Sequence, residues 1–205
     1  MNGCWSAAVS VGGQPDFNQL CWTAKMREES HKIEFPIKNK LGFHVRPIQR
    51  FAEMAQAFDS EVEVRVEDRK ADGKSVLQLM GLRGNKGARM EVIVTGTDAN
   101  QCSRVLGFLG KNSFFVEDNL QELHPERHLQ RLFKIASCFE SEIYIDVDGE
   151  RRDAKNLDEV KELDIEPSTK VDFHVEGEDA EQARSVLQKL TKYKFYIEEK
   201  IETSR

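Results

Sequence analysis

The chain has 205 residues and a formal net charge of −6, and it contains no run of about 18 apolar residues that could span a membrane. An acidic chain of this kind is a poor binder of nucleic acid, so we expect no nucleic-acid partner and no membrane insertion. The four cysteines lack metal-site spacing, and Cys102 and Cys138 fall in helical patterns that favour buried, reduced thiols. We therefore expect a cytoplasmic protein that holds no metal.

Residues 1–30 show no clean hydrophobic periodicity. We expect them to form an N-terminal extension that is either disordered or the product of a mis-assigned start, with Met26 as the alternative first residue. The folded part is expected to begin at residue 31 with a strand-like run from Lys32 to Ile37.

A histidine follows this strand and precedes a helix predicted from Ile48 to Phe58, in the order His44-Val45-Arg46-Pro47. Proline is tolerated in a first helical turn, and the backbone N–H groups there, with the helix dipole, bind anions. The Arg46 guanidinium can fork onto phosphate oxygens. The chemistry fits a phosphoryl group carried by His44 and cradled by Val45, Arg46 and Pro47, although a helix cap or a solvated loop residue would also explain a lone histidine.

The motif Gly42-Phe43-His44-Val45-Arg46-Pro47 resembles the active-site signature of HPr, the histidine-containing phosphocarrier of the bacterial phosphoenolpyruvate-dependent sugar phosphotransferase system. The likeness covers residues 31–112 and continues through Phe58-Asp59-Ser60, Gly73-Lys74-Ser75-Val76-Leu77 and Gly87-Ala88. It implies an α+β fold, an open-faced sandwich in which an antiparallel four-stranded sheet carries three helices on one face. It also implies that His44 is phosphorylated on Nδ1, that Arg46 is the second catalytic residue, and that no cofactor takes part.

The sequence repeats itself at an offset of 81 residues. Matching segments are Gln49-Arg50 with Gln130-Arg131, and Phe58-Asp59-Ser60-Glu61-Val62 with Phe139-Glu140-Ser141-Glu142-Ile143. In each copy the periodicity predicts a helix, two strands, a second helix, a third strand and a last helix opened by Asp98 or Asp179. We therefore predict two tandem HPr-like domains, residues 31–112 and 113–205.

The first strand of the second copy is ambiguous in the sequence. Residues 113–117 read as a strand, and residues 194–198 near the C-terminus echo them. Either each domain gains a strand after its last helix, or the first of these segments opens the second domain and the other closes it.

The second copy has lost the motif. Its residues at the positions of His44, Arg46 and Pro47 are Pro125, Arg127 and His128. Proline cannot accept a phosphoryl group. A shifted site at His124 or His128 lacks the geometry of the motif, and solvated loop histidines are the simpler explanation. We expect a degenerate domain that is not a carrier.

The second predicted helix of the first copy carries apolar residues that its counterpart lacks. Leu77 and Met80 correspond to Asp158 and Lys161. We expect an exposed face that docks protein partners, or else a patch covered by the second domain. Similar positions in HPr contact its partners, and the docking residues so implied are Phe43, Lys74, Val76, Leu77 and Met80.

Ser75 stands at the start of the same helix, where a capping role alone explains a serine. The segment Lys74-Ser75-Val76-Leu77 nevertheless resembles the regulatory serine segment of HPr, which a dedicated kinase phosphorylates in some bacteria. A phosphate on Ser75 would add up to two negative charges to the docking face.

The resemblance implies a relay protein rather than a turnover enzyme. His44 would receive its phosphoryl group from an Enzyme I-like phosphohistidine donor fed by phosphoenolpyruvate, and would pass it to sugar-specific IIA-type or regulatory acceptors. The alternative is a regulatory adaptor that binds partners through the face formed by Ser75, Leu77 and Met80 and is switched by phosphorylation. In a third hypothesis both copies are structural relics of the duplication.

Overall fold

The computed structural model of the protein describes residues 29–116, 125–163 and 171–194. The expected N-terminal extension lies outside these residues up to position 28, and the first strand begins at Glu29. The elements of the first copy are β1 (Glu29–Pro36), α1 (Val45–Ala55), β2 (Glu61–Val66), β3 (Arg69–Asp72), α2 (Val76–Gly81), β4 (Arg89–Gly96) and α3 (Ala99–Lys111).

The first copy is built on an antiparallel four-stranded sheet with the strand order β1-β4-β2-β3. Phe35 pairs with Met90 between β1 and β4, and Val64 pairs with Val92 between β2 and β4. Side chains on β2 alternate, so that Val62, Val64 and Val66 are buried and the residues between them are more exposed. This alternation buries one face of the sheet beneath the helices, which is the open-faced sandwich that the sequence predicts.

The second copy repeats the order of elements. They are α4 (Pro125–Ala136), β5 (Glu142–Val147), β6 (Glu150–Asp153), α5 (Leu157–Lys161), β7 (Val171–Glu176) and α6 (Ala180–Lys194). Within the described residues the second sheet has three antiparallel strands in the order β6-β5-β7. The four-stranded sheet expected for the second copy is therefore seen with three of its strands in this part of the chain.

The segment predicted as a strand at residues 113–117 is instead a single turn from Ser113 to Phe115, which we call the left-handed turn. Its three residues have φ values of 54°, 57° and 54°, a conformation that costs roughly 1–2 kcal/mol per residue in an L-amino acid. The turn buries Phe114 completely, and burial of such a side chain contributes about 1.5–3 kcal/mol, which offsets part of this cost. An apolar run this short predicts burial without distinguishing a strand from a turn. The echoing residues 195–198 lie outside the described part of the chain.

The two copies share an arrangement of hydrogen bonds to one aspartate, which we call the polar lock. Asp98, at the start of α3, accepts hydrogen bonds from the backbone N–H groups of Asp59 and Ser60 at 2.7 and 2.9 Å, and from the Ser60 hydroxyl. At the start of α6, Asp179 accepts the equivalent three bonds, from the N–H groups of Glu140 and Ser141 at 2.8 and 2.9 Å and from the Ser141 hydroxyl. Both copies therefore keep the polar lock, which connects the start of the last helix to the residues just before β2 in the first copy and β5 in the second.

The two copies pack directly against each other. The rings of Phe58 and Phe139 are stacked with centroids 6.2 Å apart, and both side chains are buried. Arg104 on α3 donates a 2.6 Å hydrogen bond to the carbonyl of Ser137, just beyond the end of α4. The Arg131 guanidinium lies 4.7 Å from the centroid of the Phe115 ring. Buried side chains of both copies consequently form one continuous hydrophobic cluster.

Candidate functional site

His44 is the residue that immediately precedes α1. Its backbone is extended (φ −104°, ψ −172°), its carbonyl accepts the first helical hydrogen bond from Ile48 N–H at 3.0 Å, and its side chain makes no capping hydrogen bond. The imidazole is half-buried, and its Nε2 atom is fully buried without a hydrogen-bond partner in the described structure. A side-chain cap therefore does not explain the histidine, and the burial of Nε2 distinguishes the two ring nitrogens.

The loop before His44 is fixed by close backbone contacts with the segment that follows α2. Phe43 N–H donates to the carbonyl of Gly84 at 2.7 Å, and Gly42 N–H donates to that of Asn39 at 2.9 Å. Gly42 has a φ of 73°, and a Cβ on it would lie 2.4 Å from the Gly84 oxygen. Only glycine fits there, so the motif glycine sets the path that brings His44 to the helix start.

The remaining motif residues occupy the first turn of α1. Val45 is 55% exposed, Arg46 is exposed, and Pro47 is buried against the core. The backbone N–H groups of Val45 and Arg46 have no helical acceptor at this end of the helix. Pro47 has no backbone N–H group, so it adds no unpaired donor. An exposed guanidinium, unpaired N–H groups and the positive end of an 11-residue helix dipole therefore lie next to the imidazole.

Two residues that support the histidine motif, Asn39 and Arg50, were not identified from the sequence. Asn39 is only 1% exposed, and its Nδ2 donates to the carbonyl of Ser113 at 3.0 Å. Arg50, on α1, donates to the carbonyl of Phe114 at 3.3 Å and to that of Phe115. The available signal for Arg50 was its identity with Arg131 at the same position of the second copy. The sequence held no comparable signal for Asn39, because its partner lies 74 residues away.

The apolar residues expected to dock partners divide into exposed and buried groups. Leu77 is 83% exposed and Met80 is 48% exposed, and Leu41 and Val45 add exposed apolar surface from the motif side. Val76 is half-buried. The described residues of the second copy therefore do not cover Leu77 and Met80.

Phe43 does not belong to an exposed face, which corrects the expectation drawn from the resemblance. It is 4% exposed, and its ring lies 5.1 Å from that of Phe114 and 6.1 Å from that of Phe51, centroid to centroid. Its burial depends on a contact with residue 114, far away in the chain, so the motif alone could not show it. Phe43 is a core residue that anchors the loop.

Lys74 is held by the fold through its ammonium group, and its assignment to docking stays a prediction. Its Nζ donates to the carbonyls of Phe58 at 2.6 Å and Asp59 at 3.4 Å. The corresponding lysine of the second copy, Lys155, donates to the equivalent carbonyls of Phe139 and Glu140 at 2.8 and 3.3 Å. Because both copies keep the arrangement, it is a structural clamp rather than a feature of the motif.

Ser75 caps α2, since its Oγ accepts a hydrogen bond from Gln78 N–H at 3.4 Å. Ser75 is half-buried. In the second copy Asn156 caps α5 in the same way, through Asp158 N–H at 3.2 Å. The capping role is therefore shared by both copies, and phosphorylation of Ser75 remains a prediction.

The second copy has no histidine at the position of His44. Pro125 occupies it and is the first residue of α4. His128 lies within that helix, and the alternative acceptor His124 lies outside the described residues. The arrangement described above for His44 is thus found in the first copy.

Neither a metal site nor a membrane span is found in the described ranges. Residues 29–116, 125–163 and 171–194 contain no grouping of three His, Cys, Asp or Glu side chains able to hold a metal ion. No helix among them is long and apolar enough to cross a membrane. Burial raises the pKa of the thiols of Cys102 and Cys138, which keeps both cysteines protonated and unreactive.

Similarity to known proteins identifies the family of the chain. The family model PTS-HPr, described as the phosphorylation site of the HPr component of the phosphotransferase system, matches residues 31–109 and again residues 118–192. The chain belongs to the HPr family. The two matches show that it is a tandem HPr-family phosphocarrier protein, as the internal repeat predicts.

Individual HPr relatives resemble one copy at a time. The phosphocarrier protein HPr of Neisseria meningitidis is 38% identical over 86 residues, which is 42% of this chain and 96% of that protein. The phosphocarrier protein NPr of Escherichia coli is 39% identical over 83 residues, or 40% of this chain and 91% of the relative. Among solved structures, HPr-C-His from Thermoanaerobacter tengcongensis is 29% identical and covers 42% of this chain and 98% of its own, with a TM-score of 0.41.

Proposed function

We propose that His44 carries a phosphoryl group from an Enzyme I-like phosphohistidine donor, charged by phosphoenolpyruvate, to a sugar-specific IIA-type or regulatory acceptor in the cytoplasm. The observation that carries the proposal is the placement of His44 at the start of α1 with Nε2 buried and without a partner, from which we infer that Nδ1 is the nitrogen open to the donor. A histidine held in this way presents one nucleophilic nitrogen beside an anion-binding helix terminus.

Transfer to His44 would be a single displacement at phosphorus. The lone pair of Nδ1 forms the new P–N bond while the P–N bond of the donor phosphohistidine breaks, and the electron pair of that bond stays on the donor imidazole. The proton of the His44 imidazole remains on Nε2. The N–H groups of Val45 and Arg46 and the Arg46 guanidinium would stabilise charge on the transferring phosphoryl oxygens, which is the main requirement of this reaction.

Labelling with isotopic phosphoenolpyruvate in the presence of Enzyme I tests the proposal. We expect the wild-type protein to acquire acid-labile phosphate and His44→Ala to acquire none. His128→Ala is the matched control, because it removes a histidine from the same region of the second copy, and it should be labelled like the wild type. Labelling of His44→Ala would disprove the assignment.

The exposed face of α2 supports a second candidate, a regulatory adaptor that binds partners through Leu77 and Met80 and is switched by phosphorylation, including by a serine kinase acting on Ser75. The adaptor proposal rests on the exposure of these two apolar side chains. It predicts that Leu77→Asp abolishes capture of the regulated partner while His44→Ala does not. Loss of the cellular effect in His44→Ala alone would favour the carrier.

A further inference from the structure

The left-handed turn lies between the histidine site and the second copy. It follows α3 directly, and its three residues are all non-glycine residues in the left-handed region. Such a conformation persists only where surrounding contacts fix it. The contacts that fix this turn come from two different places.

The first set of contacts comes from residues that flank His44. The Asn39 side chain donates to the carbonyl of Ser113, while the Asn39 carbonyl holds Gly42 N–H at 2.9 Å. Arg50, in the second turn of α1, donates to the carbonyls of Phe114 and Phe115. The loop before His44, through Asn39, and helix α1, through Arg50, are therefore both hydrogen-bonded to the turn.

Aromatic packing ties the turn to the residue next to the histidine. The Phe114 ring lies 5.1 Å from the Phe43 ring and 6.2 Å from that of Phe51 on α1. Since Phe43 precedes His44 directly, a displacement of Phe114 would move the backbone that positions the imidazole.

The second set of contacts comes from the second copy. The Arg131 guanidinium lies over the Phe115 ring at 4.7 Å from its centroid, and Phe115 also packs edge-on against Phe108 of α3. Arg131 occupies the same position in the second copy as Arg50 in the first. The duplicated arginines thus meet at one turn, one through its carbonyls and the other through its ring.

We propose that the second copy positions His44 through the left-handed turn. Arg131 is the contact from the second copy to the turn, and Asn39 and Arg50 are the positioning residues that connect the turn to the loop and helix around His44. The degenerate domain then acts on phosphoryl transfer without carrying a phosphoryl group itself. The effect on transfer rate rests on the proposed function of His44, whereas the effect on the position of the imidazole does not.

The test uses the full-length chain and two arginine variants that each remove one contact between the copies. Arg131→Ala removes the contact with the turn, and Arg104→Ala removes the hydrogen bond to Ser137, which does not involve the turn. The readouts are the NMR shifts of the His44 imidazole and the Gly42 amide, and the rate of phosphorylation by Enzyme I. Phe115→Leu, which keeps an apolar side chain but removes the ring, is a second variant that should match Arg131→Ala.

We expect Arg131→Ala and Phe115→Leu to shift both His44 and Gly42 resonances and to slow phosphorylation about threefold, within the range of ordinary coupling energies. Asn39→Ala should shift the same resonances and slow phosphorylation about tenfold, because it removes the direct hydrogen bond between the loop before His44 and the turn. Arg104→Ala should leave resonances and rate at the wild-type values.

Wild-type resonances in Arg131→Ala would overturn the proposal, and so would equal shifts in Arg131→Ala and Arg104→Ala, since they would indicate general loosening of the junction. If no protein, including the wild type, is phosphorylated, the carrier function fails, while the resonances still decide whether the second copy positions His44.

Discussion

Phe58 and Phe139 are the same position of the two copies, and their rings stack on each other at an interplanar angle of 4°. Contact of a residue with its own equivalent is the mark of an isologous, two-fold interface between identical subunits. In this chain the relation holds for the phenylalanine pair, whereas the contacts of Arg104 with Ser137 and of Arg131 with Phe115 join non-equivalent positions. The contact lies near the ends of α1 and α4 and leaves Leu77 and Met80 exposed.

This stacking predicts an energetic coupling between the copies. In a double-mutant cycle, Phe58→Ala and Phe139→Ala should show a coupling free energy of about 0.5–1.5 kcal/mol, the usual contribution of an aromatic pair. Urea denaturation of the wild type, the two single variants and the double variant measures it. The control cycle pairs Phe139→Ala with Phe51→Ala, whose effects should add within about 0.5 kcal/mol. Additivity in the first cycle would rule out an energetic role for the stack.

The lysine clamps predict matched losses of stability. Lys74→Met and Lys155→Met should each lower the free energy of unfolding by about 1–2 kcal/mol, because each leaves carbonyls without their charged donor. Chemical denaturation measures the loss. Lys74→Met should keep wild-type binding to the phosphoryl donor under conditions in which it stays folded. A binding defect larger than that of Lys155→Met would place Lys74 on the docking face.

Replacing the exposed apolar residues with their second-copy counterparts should remove docking without unfolding the protein. We expect Leu77→Asp combined with Met80→Lys to change the free energy of unfolding by less than about 0.5 kcal/mol, as is usual for surface positions. Affinity for the phosphoryl donor, measured by calorimetry, should fall at least about tenfold because the apolar contact is lost. The reverse change in the second copy, Asp158→Leu with Lys161→Met, is the matched control and should leave that affinity unaltered. Unchanged affinity in the first variant would contradict the docking role.

The lock of the second copy predicts acid sensitivity. Burial tends to raise the pKa of Asp179, but hydrogen bonds from Ser141 and the backbone N–H groups outweigh it, so the pKa lies below its usual value. Its ionised form therefore stabilises the fold above the unfolded-state pKa of about 3.9, and this stability is lost as pH falls through the lower folded-state value.

Denaturation midpoints measured from about pH 5 down to about pH 2 should consequently fall less steeply with acid in Asp179→Asn than in the wild type. Ser141→Ala should give a smaller change in the same direction, since it removes one of the donors. An Asp179→Asn variant with the wild-type pH slope would show that the lock does not depend on charge.

The left-handed turn predicts a substitution that stabilises the protein. Ser113→Gly should raise the free energy of unfolding by up to about 1 kcal/mol, because glycine adopts a positive φ without the steric cost. Asn39 bonds the backbone carbonyl of residue 113, so this contact survives. Ser103→Gly, inside α3, should have the opposite sign. Equal destabilisation by both substitutions would argue against strain in the turn.

Local patterns in the sequence were sufficient to predict the repeat, a helix after His44 and the exposed face of α2, although the helix was predicted over residues 48–58 and spans Val45–Ala55. The Phe, Val and Ile positions have the periodicities of a helix and of half-buried strands, and the second copy served as an internal control for Leu77 and Met80. The errors arose where a residue's role depends on distant contacts. The apolar run from Ser113 fits either a strand or a turn, and the resemblance that places Phe43 on the docking face gives no sign of its contact with Phe114.

The burial of Phe114 also bears on how the protein folds as it is synthesised. The ring completes the core around Phe35, Phe43 and Phe51, yet it lies beyond the last helix of the first copy. A nascent chain that has exposed only the residues through α3 still lacks this ring, and Asn39 and Arg50 still lack their acceptors on the turn. The first copy can therefore reach its final packing only when the ribosome has begun to release the second.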